Sequence, residues 1–405
     1  MEGTITQGKK SINYILLIAV FFEIIYPLLG TMPIPHSLVV YSRFSLTLFV
    51  IFYIVTYAPS IFMIKAAKVY TLWISYVLIR NIIIGYGVWG SHIQMFLAIV
   101  PSFTTYLICL YGFRRNENLM IKIIIVALYF FVLYGMLKGG GSLAGGTSDE
   151  ERLGGELVNA NAIGIRASLI IFFCTILFIK KQIRIMPYLT LSILPLLAVL
   201  MSGSRTAFIM TLLVLSIFFL VDNKKTTSVI WKVALFAIVL WGVSYIMYNT
   251  SMGERMMSIT TQAEDYHLVT GTAWDLMGDR GYQYYTSIPY IIDNLWFGIG
   301  MGNYINKVSG AVTVLHSEYL IQLLECGLIA FILYFLTYFI ITRILLRRLK
   351  FENSYIGRNV TKLCILCMLA MLFVCFVTRV CYYGMYSCCI AYMTYQGYTK
   401  ISTSK

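Results

Sequence analysis

The 405-residue chain contains few charged side chains, and acidic ones are the scarcest. Charged residues make up 12% of it and hydrophobic residues 59%, whereas soluble domains are about 25% charged and about 45–50% apolar. An ordinary cytosolic enzyme is therefore excluded. The 17 Asp and Glu are outnumbered by 31 Lys and Arg, giving a formal net charge of +14. In a soluble protein this excess would indicate nucleic-acid binding, but in a membrane protein it marks cytoplasmic loops.

Several motifs with known chemistry are also missing. Without a Walker A sequence, ATP-driven transport has no support, and without H-E-x-x-H a zinc protease is disfavoured. Cys364-x-x-Cys367 has neither a second pair nor a nearby His, so apolar packing is favoured over a metal site. Gly298-Ile-Gly300-Met-Gly302 resembles part of a dinucleotide fingerprint, but no βαβ pattern surrounds it. It predicts a tight turn, and no cofactor or metal is predicted.

Long apolar runs dominate what is present. A helix needs ~20 mostly apolar residues to cross a membrane. The fold class is therefore predicted to be an all-α, polytopic integral membrane protein with about 12 transmembrane helices and a large outer loop. Spans seven and eight lie so close together that they predict a tight hairpin at residues 202–204. The predicted spans are 12–30, 38–58, 69–88, 93–112, 119–137, 158–179, 186–202, 205–221, 229–248, 317–341, 360–379 and 381–397.

The basic residues set the predicted orientation. Of the 31 cations, 21 lie at the chain ends or in alternate loops, which by the positive-inside rule places both termini in the cytoplasm. The excess charge is then topological, and nucleic acid is excluded as a partner. The chain divides into 1–248 with spans one to nine, 249–316 as a large outer loop carrying site residues, and 317–405 with spans ten to twelve and a cytoplasmic C-terminus.

Ten cations break this pattern, and several are arginines at the predicted outer membrane edge. A charge within a span costs about 2.5–3.5 kcal/mol on insertion scales, so such residues usually face a cavity and have a partner. Guanidinium groups bind phosphate oxygens bidentately and stay charged, which favours a phosphate-bearing anion over ion pairs that merely hold helices. For Arg43 and Arg80 the structural interpretation is favoured, with Glu23 as a candidate partner. The ten are Arg43, Arg80, Lys138, Arg152, Arg166, Arg205, Arg255, Arg280, Lys307 and Arg379.

Three stretches, in order and on the predicted outer side, resemble the O-antigen polymerase/ligase family. They are LAVLMSGSRTAF (197–208), DRGYQYYTSIPYIIDNLWFGIGMGNY (279–304) and HSEYLIQLLECGLIAF (316–331). NANAIG (159–164) also looks like the family's entry to its sixth span, and the resemblance covers about 155–335. One departure is Leu295, where the family often has a proline.

The resemblance implies a C-type-like integral-membrane glycosyltransferase on the outer face of the bacterial cytoplasmic membrane. Its donor would be undecaprenyl-diphosphate-linked oligosaccharide, with neither a metal nor a nucleotide sugar required. A polymerase transfers the growing chain to the next lipid-linked repeat unit, making O-antigen or capsular polysaccharide, so this substrate is both donor and acceptor. Besides the lipid bilayer, a chain-length regulator and a flippase are candidate partners.

Displacement of diphosphate at an anomeric carbon needs cations for the leaving group and a base for the acceptor hydroxyl. Arg205 and Arg280 match the family's arginine positions and are assigned to the diphosphate. Arg379 is assigned to the diphosphate as well. Arg166 is assigned to substrate binding. These assignments follow from the resemblance together with the outer position of the arginines.

His316 is the leading candidate for the base, because an imidazole titrates near neutral pH. It could instead donate a hydrogen bond to the diphosphate or merely cap a helix. Glu318 could orient His316 or act itself, although residues i and i+2 on a helix do not share a face. Tyr304 and Tyr319 are assigned to the sugar-binding surface, with an interfacial aromatic belt as the alternative.

Rival functions stay open at this point. A ligase would transfer the glycan to a lipid A core instead, and sequence separates the two branches poorly. From another class, a lipid-linked oligosaccharide flippase or other transporter is disfavoured because no two-half repeat or matched broken helices are found. A structural membrane protein is the remaining alternative, and the polymerase is favoured.

Overall fold

The computed structural model describes residues 12–83, 91–138, 159–220, 279–304 and 315–399, together with the single residues 242, 245, 248 and 249. The described chain is helical and contains no β-strand. Its helices are α1 (Tyr14–Leu29), α2 (His36–Tyr57), α3 (Lys65–Ile83), α4 (Ser91–Lys138), α5 (Ala160–Ile179), α6 (Ile185–Met201), α7 (Arg205–Leu215), α8 (Ile217–Leu220), α9 (Asp279–Asp293), α10 (Glu318–Leu320), α11 (Gly327–Phe351), α12 (Tyr355–Val377) and α13 (Gly384–Tyr398).

Short polar residues start several of these helices. The Asn13 side chain accepts a hydrogen bond from the Ile15 amide at the start of α1, and Asn159 accepts one from the Asn161 amide at the start of α5. Ser204 caps α7 in the same way. Such side chains satisfy backbone N–H groups that have no partner within the helix. The local sequence therefore determines where these helices begin.

The helices confirm a polytopic helical membrane protein. Each predicted span within the described ranges falls on a helix, and five helical segments are individually long and apolar enough to cross a membrane. The count of twelve spans, the orientation and the outer position of 249–316 stay predictions. The predicted span 229–248 and most of the 249–316 segment lie outside the described residues. The predicted hairpin after α6 is confirmed, with Gly203 at a φ of +58°.

Predicted spans four and five meet without a separate loop. They form the two halves of α4, which kink at Asn116, where φ is −153° and ψ is 88°. The Asn116 side chain accepts a hydrogen bond from the Leu119 amide at 3.1 Å, so it caps the second half as an N-terminal residue would. The half-buried carboxylate of Glu117 follows and accepts hydrogen bonds from Lys180 and from Tyr392 and Gln396 of α13.

The centre of the bundle is formed by α5 and α13, which are buried along almost their whole lengths. α13 packs against α4 and α11, while α5 packs against α4, α6 and α7. Helices α2 and α6 lie at the periphery and expose apolar side chains such as Phe52 and Ile193, as a surrounding lipid phase requires. Of the predicted site residues, Arg166 lies on α5 itself, and the others lie on other segments.

Candidate active site

The site begins where a glycine-rich turn meets an irregular helix start. The glycine turn (residues 298–302) has positive φ at Gly298, Gly300 and Gly302, which confirms the predicted tight turn. It packs on the π turn (Ile321–Glu325), a single turn of π-helix between α10 and α11. π-Helical turns of this kind often occur at functional sites.

The two turns are joined backbone to backbone. The Ile299 amide donates to the Leu324 carbonyl at 2.8 Å, and the Gly300 amide donates to the Glu325 carbonyl at 2.9 Å. A Cβ at Gly298 would stand 2.6 Å from the Leu324 carbonyl oxygen, and one at Gly327 would stand 2.4 Å from a backbone oxygen of the facing segment. Only glycine allows this approach, so the second and third family-like stretches form one unit.

Side chains from outside those stretches hold the glycine turn in place. Arg80 at the end of α3 donates to the Gly298 carbonyl at 2.6 Å, and the Asn81 side chain accepts from the Met301 amide at 3.2 Å. On the other side, the buried Glu325 carboxylate accepts from the Tyr304 amide at 3.3 Å. α3 therefore supports the turn directly.

His316 lies two residues before α10, outside any helix, and is partly buried. Its amide donates to the side-chain oxygen of Gln283 at 3.1 Å, three residues along α9 from Arg280. The next residue, Ser317, caps α10 and is hydrogen-bonded to the Tyr284 hydroxyl at 2.6 Å. α9 thus contacts two successive residues, His316 through its backbone amide and Ser317 through its side chain.

Glu318 is completely buried and fully hydrogen-bonded. One carboxylate oxygen accepts from the backbone amides of Val380 at 2.6 Å and Cys381 at 3.0 Å. The other accepts from the Gln322 side chain at 2.7 Å. The carboxylate therefore ties α10 to the segment between α12 and α13, which carries Arg379.

The predicted arginines occupy different surroundings. Arg205 is the first residue of α7, and the hairpin before it packs on Gly164, where a Cβ would stand 2.4 Å from the Ser202 hydroxyl. The Arg379 guanidinium lies 5.7 Å from the centre of the Tyr382 ring and within electrostatic reach of Glu325. Arg280 is in the first turn of α9, and its side chain lies outside the described residues.

Arg166 is the most deeply buried of the predicted arginines, with 2% of its surface exposed. Its guanidinium carbon lies 3.6 Å from the centre of the Phe131 ring, and one terminal nitrogen donates to the Ala162 carbonyl at 3.1 Å. Its Nε has no hydrogen-bond partner in the described part of the chain. Hydrogen-bonding capacity is thus left over on a buried cation.

The two predicted sugar-binding tyrosines are used in packing. Tyr304 is fully buried, and its hydroxyl is 3.3 Å from the Thr286 hydroxyl. Tyr319 stacks on Phe335 with ring centres 4.6 Å apart and donates to the Leu372 carbonyl at 3.3 Å. These contacts give both rings structural roles, and their predicted contact with sugar stays untested.

Sequence reasoning missed three residues that support the site. Gln322 is a buried amide in an apolar stretch, a signal that could have marked it because buried amides need partners, whereas the equally buried Gln283 lies in the mixed sequence of α9. Trp73 donates its indole N–H to Gln322 at 2.8 Å from α3. Trp73 lies far from the other site residues in the amino-acid sequence, so no local sequence pattern indicated its role.

Part of this chain is similar to a known protein family. The model of the O-antigen ligase family matches residues 190–335. The resemblance to the O-antigen polymerase/ligase family is confirmed. The matched segment contains the α6–α7 hairpin with Arg205, α9, the glycine turn and the π turn. A search of curated proteins gives no match to the chain. The match and the apolar helices support a membrane protein that acts in polysaccharide assembly.

Proposed function

We propose that the protein polymerises undecaprenyl-diphosphate-linked oligosaccharide repeat units into O-antigen or capsular polysaccharide. It would act on the outer face of the bacterial cytoplasmic membrane, with both termini in the cytoplasm. The observation that carries the proposal is the family match over 190–335, since this segment contains Arg205, Arg280 and His316. The arrangement suits a metal-independent glycosyltransferase with a lipid-diphosphate donor.

The proposed reaction forms one bond and breaks another at the anomeric carbon of the donor. A hydroxyl of the acceptor sugar attacks this carbon, and its proton passes to the His316 imidazole. The bond from the anomeric carbon to the diphosphate oxygen breaks, and undecaprenyl diphosphate leaves with the electron pair. The His316 backbone is held by Gln283, which supports a fixed base, because proton transfer requires hydrogen-bond distance.

The leaving diphosphate needs positive charge that is already in place. Arg205, Arg280 and Arg379 are proposed to bind it, and Arg166 to bind the substrate next to it. Two features support the choice. The Arg166 guanidinium keeps unused hydrogen-bonding capacity, and Arg379 lies over an aromatic ring rather than in an ion pair within the described ranges. Tyr304 and Tyr319 are proposed to shape the sugar-binding wall through their packing.

A ligase is the second candidate, favoured by the description of the matching family as O-antigen ligase. It would use the same donor and the same arginines, but its acceptor would be a lipid A core. The deletion strain separates the two. A single repeat unit on the final acceptor indicates a lost polymerase, whereas long chains accumulating on the lipid carrier indicate a lost ligase.

The direct test uses purified protein in liposomes supplied only with labelled lipid-linked repeat units. A ladder of longer lipid-linked chains is expected, and Arg205→Ala, Arg280→Ala and His316→Ala should each abolish it while the protein still inserts. A wild-type ladder from normal amounts of any one variant would overturn that assignment. Wild-type protein that transfers nothing to lipid-linked units but does transfer to lipid A core would establish the ligase instead.

A further inference from the structure

A chain of buried hydrogen bonds connects α3 to the segment that carries Arg379. The Trp73 indole N–H donates to the Gln322 oxygen at 2.8 Å, and the Gln322 amide nitrogen donates to Glu318 at 2.7 Å. Glu318 then accepts from the backbone amides of Val380 and Cys381. The four groups lie on α3, the π turn, α10 and the α12–α13 segment, and they are buried together.

The last link lies directly beside a proposed diphosphate-binding residue. Arg379 precedes Val380 in a short segment between α12 and α13, and Glu318 is the acceptor for two successive amides there. Fixing those amides fixes the backbone from which the Arg379 side chain projects. Electrostatic stabilisation of a leaving group depends on donors being placed before the reaction, so the position of this backbone matters.

Glu318 is poorly placed to exchange a proton with substrate. It is 0% exposed, and both of its oxygens are already occupied by three donors. A general base must reach the proton that it removes, at about 2.6–3.2 Å between heavy atoms. His316 is only partly buried, whereas Glu318 is fully buried.

We infer that Glu318 is a positioning residue, which holds the Arg379 segment through Val380 and Cys381, and that it needs its hydrogen bonds rather than its charge. The inference rests on the proposed function, because Arg379 is assigned to the diphosphate there. The inference also assigns Trp73 and Gln322 to the same series of hydrogen bonds, on the side of Glu318 away from Arg379. A catalytic role for Glu318 would instead require a carboxylate at position 318.

The hydrogen-bond pattern allows the two roles to be separated by an exchange of residues. In Glu318→Gln, the new side-chain nitrogen faces the Gln322 side-chain nitrogen, so two donors meet. If the Gln322 amide rotates so that its oxygen faces position 318, its nitrogen then faces the Trp73 N–H, and two donors meet there instead. In the double variant Glu318→Gln/Gln322→Glu every donor again meets an acceptor. The exchange restores the hydrogen bonds and moves the charge by one helical turn.

Turnover of lipid-linked repeat units in liposomes is the first readout. Glu318→Gln should lower kcat by about ten- to a hundredfold with KM nearly unchanged. This loss is about 1.4–2.7 kcal/mol, which lies within the range for an unsatisfied buried polar group. The double variant should return within about threefold of wild type. A double variant that folds but stays as inactive as Glu318→Gln would overturn the inference, because the charge would then be required at position 318.

A double-mutant cycle tests whether Glu318 acts through Arg379. In an Arg379→Ala background, adding Glu318→Gln should cost less than about threefold more in single-turnover rate, because coupled residues are not additive. A further loss of about tenfold or more would show an independent role and contradict the inference. Glu352→Gln is the matched control. That buried carboxylate is paired with Arg348 near the other end of α11, so its loss should lower stability without changing turnover per folded molecule.

Hydrogen exchange of the Val380 and Cys381 amides provides a readout that does not need activity. Exchange should accelerate in Glu318→Gln and return to the wild-type rate in the double variant. Unchanged protection in Glu318→Gln would overturn the positioning role even if polymerisation is confirmed. Conversely, restored protection in a protein that transfers no glycan would leave the positioning of the segment established and the proposed function wrong.

Discussion

Two groups of buried or half-buried charges in this protein have different kinds of partner. Glu23 and Arg43 form a bidentate ion pair with distances of 2.9 and 2.5 Å, and Arg348 pairs with Glu352 at 3.0 Å. Arg166 and Arg379 lie over aromatic rings instead, and neither has a carboxylate ion pair within the described ranges. Each cation of the first group therefore has a carboxylate partner.

The difference separates cations that build the bundle from cations kept for a substrate. A buried cation without a carboxylate partner, such as Arg166, is costly, so its retention needs an explanation other than stability. An anionic substrate supplies one, since a diphosphate would complete the electrostatics of the second group. The first group would gain nothing from such a ligand. Substitutions in the two groups should therefore have opposite effects on folding and on turnover.

The largest effect is expected from breaking a completed pair. Arg43→Ala leaves Glu23 buried and unpaired, which should lower the free energy of unfolding by about 3–5 kcal/mol. Thermal unfolding in detergent measures this loss. The double variant Glu23→Met/Arg43→Met should recover most of it, because replacing both partners by apolar groups is often neutral. Equal stability of Arg43→Ala and wild type would remove the contrast between the groups.

The next effect concerns turnover. Arg379→Ala and Arg166→Ala should each lower turnover by about a hundred- to a thousandfold, the range for loss of one preorganised donor. Their melting temperatures should fall less than that of Arg348→Ala, because neither guanidinium forms an ion pair with a carboxylate in the described ranges, whereas Arg348 does. The control is Arg348→Ala, which should melt earlier because it strands Glu352. Near-normal turnover in either site variant would assign that arginine to structure.

The junction of the glycine turn and the π turn should be sensitive to a single methyl group. Gly327→Ala introduces a Cβ about 2.4 Å from a backbone oxygen at a φ of +86°, so we expect at least about tenfold lower turnover, with the strain of a left-handed residue adding about 1–2 kcal/mol. Gly30→Ala is the matched control, since nothing lies within 4 Å of that position. Identical turnover in the two variants would show that the close contact has no functional role.

The smallest effect is expected at the outer end of the hydrogen-bond chain. Trp73→Phe keeps most of the ring and removes one N–H donor to Gln322. One hydrogen bond contributes about 1 kcal/mol, so kcat should fall by about fivefold. Steady-state kinetics in liposomes would detect this change. A loss as large as that of Glu318→Gln would mean that the ring, rather than its N–H group, holds the segment.

Local patterns were enough to predict the helices and part of the charge arrangement. Apolar run lengths located the helices, and Ser202-Gly203-Ser204 predicted a hairpin that the positive φ of Gly203 confirms. The Glu23–Arg43 pair was also predicted, because Glu23 is the acidic residue of the first apolar run. The joined halves of α4 were not, since hydropathy does not reveal that Asn116 caps a second helix directly after the first.

The interior of the site depended on contacts that no local pattern contains. Glu318 was predicted as a catalytic candidate from its place near His316, yet its partners Val380 and Cys381 lie more than 60 residues further along the chain. Its burial and its occupied oxygens follow from tertiary packing. The glycine turn was predicted from its residues. The π turn against which it packs was not predicted.

The central claim is that the arginines lacking carboxylate partners bind the diphosphate of the lipid carrier. Binding of undecaprenyl diphosphate, without sugar, to the purified protein tests it most directly. Wild type and Glu352→Gln should bind equally, whereas Arg166→Ala and Arg379→Ala should each weaken binding by about tenfold or more, or about 1.4 kcal/mol. Equal affinity in all four proteins would contradict the claim.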